Sequence, residues 1–214
     1  MARSLKAARA ELAASDPVMA ELIERLGERS VSQRRRGEPK PDAYGALLRT
    51  IVGQQLSSKA ARTIYGRVLE MFGGTTPTPE RILAASEQDL RGAGLSGRKV
   101  EYIRDLAGHV ESGALELDRF NELPDETVIE EISDVRGLGR WSAEMFLIFH
   151  LDRPDVVSGG DLGIRKAVQI EYGLNEMPTP SEVEEIGERW RPNRSLACIY
   201  LWESLAGDVT VGGV

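Results

Sequence analysis

The sequence predicts an all-α fold: two helical lobes with a cleft between them. Three observations predict it. Apolar residues recur at helical spacing, as in Leu12, Val18, Leu22, Ile23 and Leu26, and again in Leu47, Leu48, Ile51 and Val52. No stretch carries a convincing strand pattern. Helix-starting residues punctuate the chain at Asp16-Pro17, Thr78-Pro79, Pro124-Asp125 and Thr179-Pro180. With 214 residues, the chain is long enough for one compact unit or two small lobes with cores of their own. The lobes are expected at 42–134 and at 1–41 with 135–214.

Taken in order, residues 5–26 read as helix with a break and restart at Ser15-Asp16-Pro17. Arg34-Arg35-Arg36 lies in a loop and is either solvated surface or a phosphate-facing cluster. Asp42-Ala43-Tyr44 opens a long helix that ends at Gly53-Gln54-Gln55-Leu56. Ser57 or Ser58 then caps a helix carrying Ile64, Val68, Leu69 and Phe72 inward. Two amides at that turn do not belong in a core; on the residues alone they are a polar, helix-capping turn. Thr78-Pro79-Glu80 starts a helix with Ile82, Leu83 and Leu90 apolar. A glycine-rich turn, Gly92 to Gly97, leads into a helix over 100–110. Arg98 and Lys99 stand in its first turn, where cations oppose the helix dipole. They are exposed side chains or phosphate ligands. Residues 115–120 connect to the helix begun by Leu123-Pro124-Asp125. Later helices follow Asp161 and Thr179, and the last, over 196–205, carries Tyr200 and Trp202. Residues 208–214 read as a loose tail.

The chain is organised around Val135-Arg136-Gly137-Leu138-Gly139-Arg140-Trp141-Ser142-Ala143. An amphipathic run, Val128 to Ile132, precedes it and an apolar run, Met145 to Phe149, follows. This is a helix, a tight glycine hairpin and a second helix. The glycines permit positive φ and close backbone approach, and Leu138 can tuck between the helices. The hairpin amides and the first turn of the next helix make an anion site, for which the simplest ligand is a nucleic-acid phosphate.

These residues resemble the helix-hairpin-helix motif of the DNA glycosylase superfamily, whose pattern is roughly Leu-Pro-Gly-Val-Gly-x-x-Thr-Ala. Arg136 stands at the Pro position and Ser142 at the Thr position. Ser158-Gly159-Gly160-Asp161-Leu162-Gly163-Ile164-Arg165-Lys166 fits the place of the family's later Asp. Arg189-Trp190-Arg191-Pro192-Asn193-Arg194-Ser195 is similar to the 3-methyladenine DNA glycosylase II (AlkA-like) branch, and the likeness spans roughly residues 42–205.

The resemblance implies roles. Asp161 would be the catalytic carboxylate; on local sequence alone a plain N-cap is the favoured reading. Trp141, Trp202 and Met145 would line the base pocket, with core packing as the other reading of each. Gln54, Gln55 and Leu56 would form the turn that enters the minor groove, with Gln55 at the plug position. Gly137, Leu138, Gly139, Arg140, Ser142, Arg98 and Lys99 would meet DNA phosphate. In strand-cleaving relatives the residue at Trp141 is a lysine that forms a Schiff base. Its replacement by Trp implies hydrolysis by water alone. The implied function is excision of alkylated purines of the 3-methyladenine type from double-stranded DNA containing damaged bases. Excision of deaminated bases, or a non-catalytic DNA-binding module, remains open.

Composition bounds the rest. One cysteine, Cys198, excludes an intrachain disulfide and a four-cysteine zinc or iron–sulfur site, and reads as a buried thiol. Two histidines are too few for a zinc hydrolase. No cofactor is expected beyond the open option of Na+ or K+ at the hairpin carbonyls of Ser133, Val135 and Leu138. No apolar run nears the ~20 residues that span a bilayer, and the N-terminus lacks an apolar signal core, so an intracellular, cytoplasmic protein is expected. A monomer is expected as well. The net charge of −7 argues against a nonspecific nucleic-acid coat but not against a local basic face.

Overall fold

The computed structural model describes residues 4–27 and 41–207. The Arg34-Arg35-Arg36 cluster and residues 208–214 lie outside them. Among the described residues all regular structure is helical, as predicted.

The chain opens with α1 (Leu5–Ser15) and α2 (Pro17–Leu26). The restart falls where the sequence places it, because the Asp16 carboxylate accepts the Val18 and Met19 amides and Pro17 fits the first turn. Next come α3 (Ala43–Gly53), α4 (Ser58–Met71), α5 (Pro79–Ala84), α6 (Glu87–Gly92) and α7 (Gly97–Glu111). Ser57 is the residue that caps α4. The single helix expected after Thr78 is two. Ala85 is extended, and Ser86 caps α6 through the Asp89 amide, which leaves Leu83 exposed. A 3₁₀ turn (Leu117–Arg119) interrupts the expected connection. Then follow α8 (Asp125–Ser133), α9 (Arg140–Phe149), α10 (Leu162–Glu171), α11 (Pro180–Gly187) and α12 (Arg194–Gly207).

The helices sort into two compact units, residues 39–146 and residues 1–38 with 147–214. In the first, Leu47, Leu48, Ile51 and Val52 are fully buried, and Phe120 meets Phe146 edge to face at 5.9 Å. Each such aliphatic side chain contributes about 1.5–3 kcal/mol by leaving water. The hairpin belongs to this unit and not, as expected, to the one carrying Asp161. Its contacts with α7 and with the end of α3, given below, account for that. In the second unit a polar chain threads the core. The Trp190 indole donates to the Tyr172 hydroxyl at 3.0 Å, and that hydroxyl donates to buried Asp16 at 2.8 Å. Burial pushes the Tyr172 phenol well above its usual range, with Asp16 adding to the effect. Cys198 is buried here.

Candidate functional site

Only one of the hairpin glycines needs a left-handed backbone. Gly137 has φ of 85°, and a Cβ there would lie 2.1 Å from the Tyr102 ring. A Cβ at Gly139 would meet open space, and its φ lies outside that region. Leu138 is buried, as expected, and its amide donates to Val135 O at 3.0 Å. The hairpin rests on α7: besides Tyr102 beneath Gly137, Asp105 accepts the Arg136 amide at 2.8 Å. The carbonyl of Gly139 takes the Ala143 amide and begins α9. A glycine there brings no side-chain oxygen to the first turn, unlike Ser57 and Ser96 at α4 and α7. Two expected phosphate ligands are placed otherwise. Ser142 is buried, so its hydroxyl is not at the surface. Arg140 pairs with Glu126 at 2.5 Å and lies 3.7 Å from Glu144. That guanidinium holds the Glu126 carboxyl below the usual carboxylate range.

The Gln54-Gln55-Leu56 turn divides by role. Gln54 donates its side-chain amide to the Gly137 carbonyl at 2.6 Å and so ties the turn to the hairpin. Gln55 is exposed and has φ of 57°, a conformation a non-glycine residue holds only when its surroundings impose it. Leu56 is exposed as well, its amide returning to Gly53 O at 3.2 Å. Lys99, expected on phosphate, instead donates to Val52 O at 2.7 Å, where its charge suits the C-terminus of α3. Burial lowers its pKa. Arg98 is exposed.

Asp161 is the N-cap of α10, its Oδ1 accepting the Ile164 amide at 2.8 Å. The same oxygen accepts the Trp202 indole N–H at 2.9 Å. Two donors on one oxygen fix the carboxylate plane beside the positive end of a helix. Trp202, expected to line a base pocket, is thus turned onto the carboxylate, with its ring against Phe149 at 5.7 Å. Gly163 makes room for this: a Cβ would lie 3.0 Å from Asp161 Oδ1 and 3.3 Å from Trp202 Cδ1. Gly159 serves packing, since a Cβ would meet the Pro180 carbonyl at 2.8 Å, whereas Gly160 faces open space. The preceding loop is tied to α12. Ser195 Oγ donates to Arg153 O and accepts the Val156 amide, and Arg194 binds Asp155. The Arg-Trp-x-Pro-x-Arg-Ser run is therefore structural support for the loop that ends in Asp161.

In the other unit, Trp141 is 48% exposed in the first turn of α9, and Met145 one turn on is half-buried. Tyr102, Asp105 and Gly163 went unread in the sequence; for Gly163, its place two residues after Asp161 was the available signal. No group of three or more His, Cys, Asp or Glu side chains that could hold a metal occurs among the described residues. No helix among them is long and apolar enough to cross a membrane.

A family model described as HhH-GPD superfamily base excision DNA repair protein matches residues 48–192. DNA-3-methyladenine glycosylase 1 of Schizosaccharomyces pombe is 35% identical over 171 residues, 79% of this chain and 75% of that protein. The solved structure of the 3-methyladenine DNA glycosylase of that yeast in complex with abasic DNA superposes with a TM-score of 0.79 at 32% identity, covering 92% of this chain and 95% of that one. A DNA-3-methyladenine glycosidase structure from Bacillus halodurans gives a TM-score of 0.79 at 38% identity, covering 94% and 89%.

Proposed function

Because the chain belongs to the HhH-GPD superfamily of base excision DNA repair proteins, we propose that it hydrolyses the N-glycosidic bond of alkylated purines in double-stranded DNA and so initiates base excision repair. The observation that carries this reading is the Asp161 carboxylate, held through Oδ1 by Ile164 and Trp202 at the head of α10. It supports the following chemistry. The damaged base leaves the stack at a cost of a few kcal/mol, least for a damaged pair. As the C1′–N bond stretches, its electron pair moves onto the base and positive charge grows on the sugar. A carboxylate ~4 Å away at an effective dielectric of ~20 stabilises that charge by about 4 kcal/mol, roughly a thousandfold in rate. An alkylated purine starts cationic, so departure neutralises it and no general acid is needed. Water then adds at C1′ and gives up a proton, leaving an abasic site. The exposed face of Trp141 suits a cationic purine, worth about 0.5–2 kcal/mol.

Exposed Gln55 and Leu56 are the residues offered to the duplex, with Gly137, Leu138 and Gly139 toward phosphate through the main chain. Carbonyl oxygens suit hard cations. Ser133, Val135 and Leu138 would hold Na+ or K+, the Val135 oxygen shared with the Leu138 amide. The protein would act as an intracellular monomer on DNA.

The test is single-turnover release from duplexes carrying 3-methyladenine, 7-methylguanine, 1,N6-ethenoadenine, hypoxanthine or uracil. Release of the alkylated purines is expected, and Asp161→Asn should lower it about a thousandfold while lesion binding stays within about tenfold. Release of hypoxanthine or uracil alone would replace the alkylpurine reading. Binding without release would make this a binding module, and near-wild-type release by the variant would remove Asp161 from the mechanism.

A further inference from the structure

Lys99, Tyr102 and Asp105 stand three residues apart on one side of α7, and each holds a different piece of main chain. Lys99 Nζ donates to Val52 O at 2.7 Å in the last turn of α3. Tyr102 fills the space beneath Gly137. Asp105 accepts the Arg136 amide at 2.8 Å. Gln54 closes the circuit, its side-chain amide on Gly137 O at 2.6 Å. The residue these contacts bracket is Gln55, with φ of 57°.

We propose that α7 braces the Gln55-Leu56 turn and the 135–139 hairpin into one preorganised DNA-engaging element, in which Lys99 and Gln54 are positioning residues and not DNA contacts. The ammonium of Lys99 is partly withdrawn from water and occupied by a carbonyl, an arrangement that serves the protein's own main chain. Gln54 is pinned by its side chain, so the left-handed conformation of Gln55 is fixed before DNA arrives. A turn held this way loses little conformational freedom when it enters a duplex. Grip on phosphate and entry of the turn then occur together. Loosening either strut would let Gln55 relax, leaving the hairpin able to bind DNA but not to open it.

The inference rests on the reading that this chain engages lesion DNA, but its test needs no excision. The probe is a duplex with a tetrahydrofuran abasic analogue opposite 2-aminopurine, alongside an undamaged duplex. Fluorescence reports entry of the turn, and titrations at several salt concentrations report affinity. Lys99→Met and Gln54→Met should weaken preference for the abasic duplex about tenfold and lower the fluorescence change, with the wild-type salt slope kept. Lys99→Arg, which retains a donor for Val52 O, should restore most of both. With Gln55 and Leu56 both changed to alanine, Lys99→Met and Gln54→Met should cost less than about twofold further. A salt slope lower by about one in Lys99→Met would make Lys99 a phosphate contact and overturn the proposal. So would losses that simply add to those of the alanine changes, or folded variants that insert normally. Circular dichroism checks folding, and Gln54→Met, which removes a donor at nearly constant volume, carries the test alone if Lys99→Met fails to fold. Normal insertion by a wild type that excises nothing would sink the catalytic reading and leave the brace standing.

Discussion

The space at Gly163 is bounded by Asp161 Oδ1 and by Cδ1 and Nε1 of the Trp202 indole. An added Cβ at 3.0 Å from Oδ1 and 3.3 Å from Cδ1 must push the carboxylate or the indole aside. The indole N–H and Oδ1 would then shift against each other by a few tenths of an ångström. Misplacing a reacting group by about 1 Å can cost on the order of a hundredfold, and this smaller shift a fraction of that. Gly163→Ala is therefore expected to lower the single-turnover rate about threefold to tenfold while KM stays within about twofold. A mutant with the wild-type rate would show that the Trp202 contact does not govern Asp161. Trp202→Phe, which deletes the donor while keeping an aromatic ring at this position, should reproduce the loss.

At the scale of elements, the two hairpin glycines have separable jobs. Gly137→Val places a Cβ inside the Tyr102 ring and forces a branched side chain into a left-handed backbone, so it should destabilise the fold by at least about 2 kcal/mol. Gly139→Ala has open space and should leave the melting temperature near wild type while weakening duplex affinity, because its Cβ occupies the approach to the first turn of α9. Thermal melts beside binding titrations separate the two; a stable Gly137→Val protein would contradict the packing account. The Tyr172 hydroxyl links α2, α10 and the Trp190 turn. Its pKa is raised by burial, so the folded state holds that proton more tightly than the unfolded chain, whose tyrosine titrates near pH 10. This contribution is complete below pH 10 and falls away as pH rises above it. Tyr172→Phe should cost about 1–3 kcal/mol at pH 7, by removing the hydroxyl that serves Asp16 Oδ2 and the Trp190 indole. It should also flatten the loss of stability between pH 10 and 11.5, measured by urea unfolding. An unchanged alkaline slope would remove Tyr172 as its source.

For the molecule as a whole, the net charge of −7 means that bulk attraction does not hold it on DNA. Side-chain charge at the hairpin is also largely matched, since Arg140 faces Glu126 and Glu144, and Arg136 lies 3.6 Å from Glu101. Recognition that leans on main-chain geometry places the turn and hairpin accurately without a strong long-range field. Trp141 supplies no amine for an imine with the sugar. Lys166, the lysine nearest Asp161 in sequence, donates to Gln169 at 3.1 Å on the exposed side of α10. Abasic DNA should therefore stay intact until alkali or heat is applied, and borohydride should trap no protein–DNA adduct. A trapped band that Lys166→Ala removes would reveal an imine route.

Much of this protein was legible in local sequence, because the interactions concerned span a few residues. Asp16, Asp42, Ser57 and Thr179 cap helices through amides two or three positions on, and the sequence placed those starts. Apolar periodicity marked α3 as a buried helix, and the spacing of Gly137, Gly139 and Asp161 pointed to the family. Tertiary structure alone decided the division of labour within the site. Trp202 meets Asp161 across 41 residues, Lys99 reaches Val52 across 47, and Gln54 reaches Gly137 across 83. Each of these side chains carries a donor that can serve a carbonyl, a carboxylate or a phosphate. Which acceptor it takes is set by which main chain or carboxylate the packed helices bring within 3 Å, and that distance is a property of the fold.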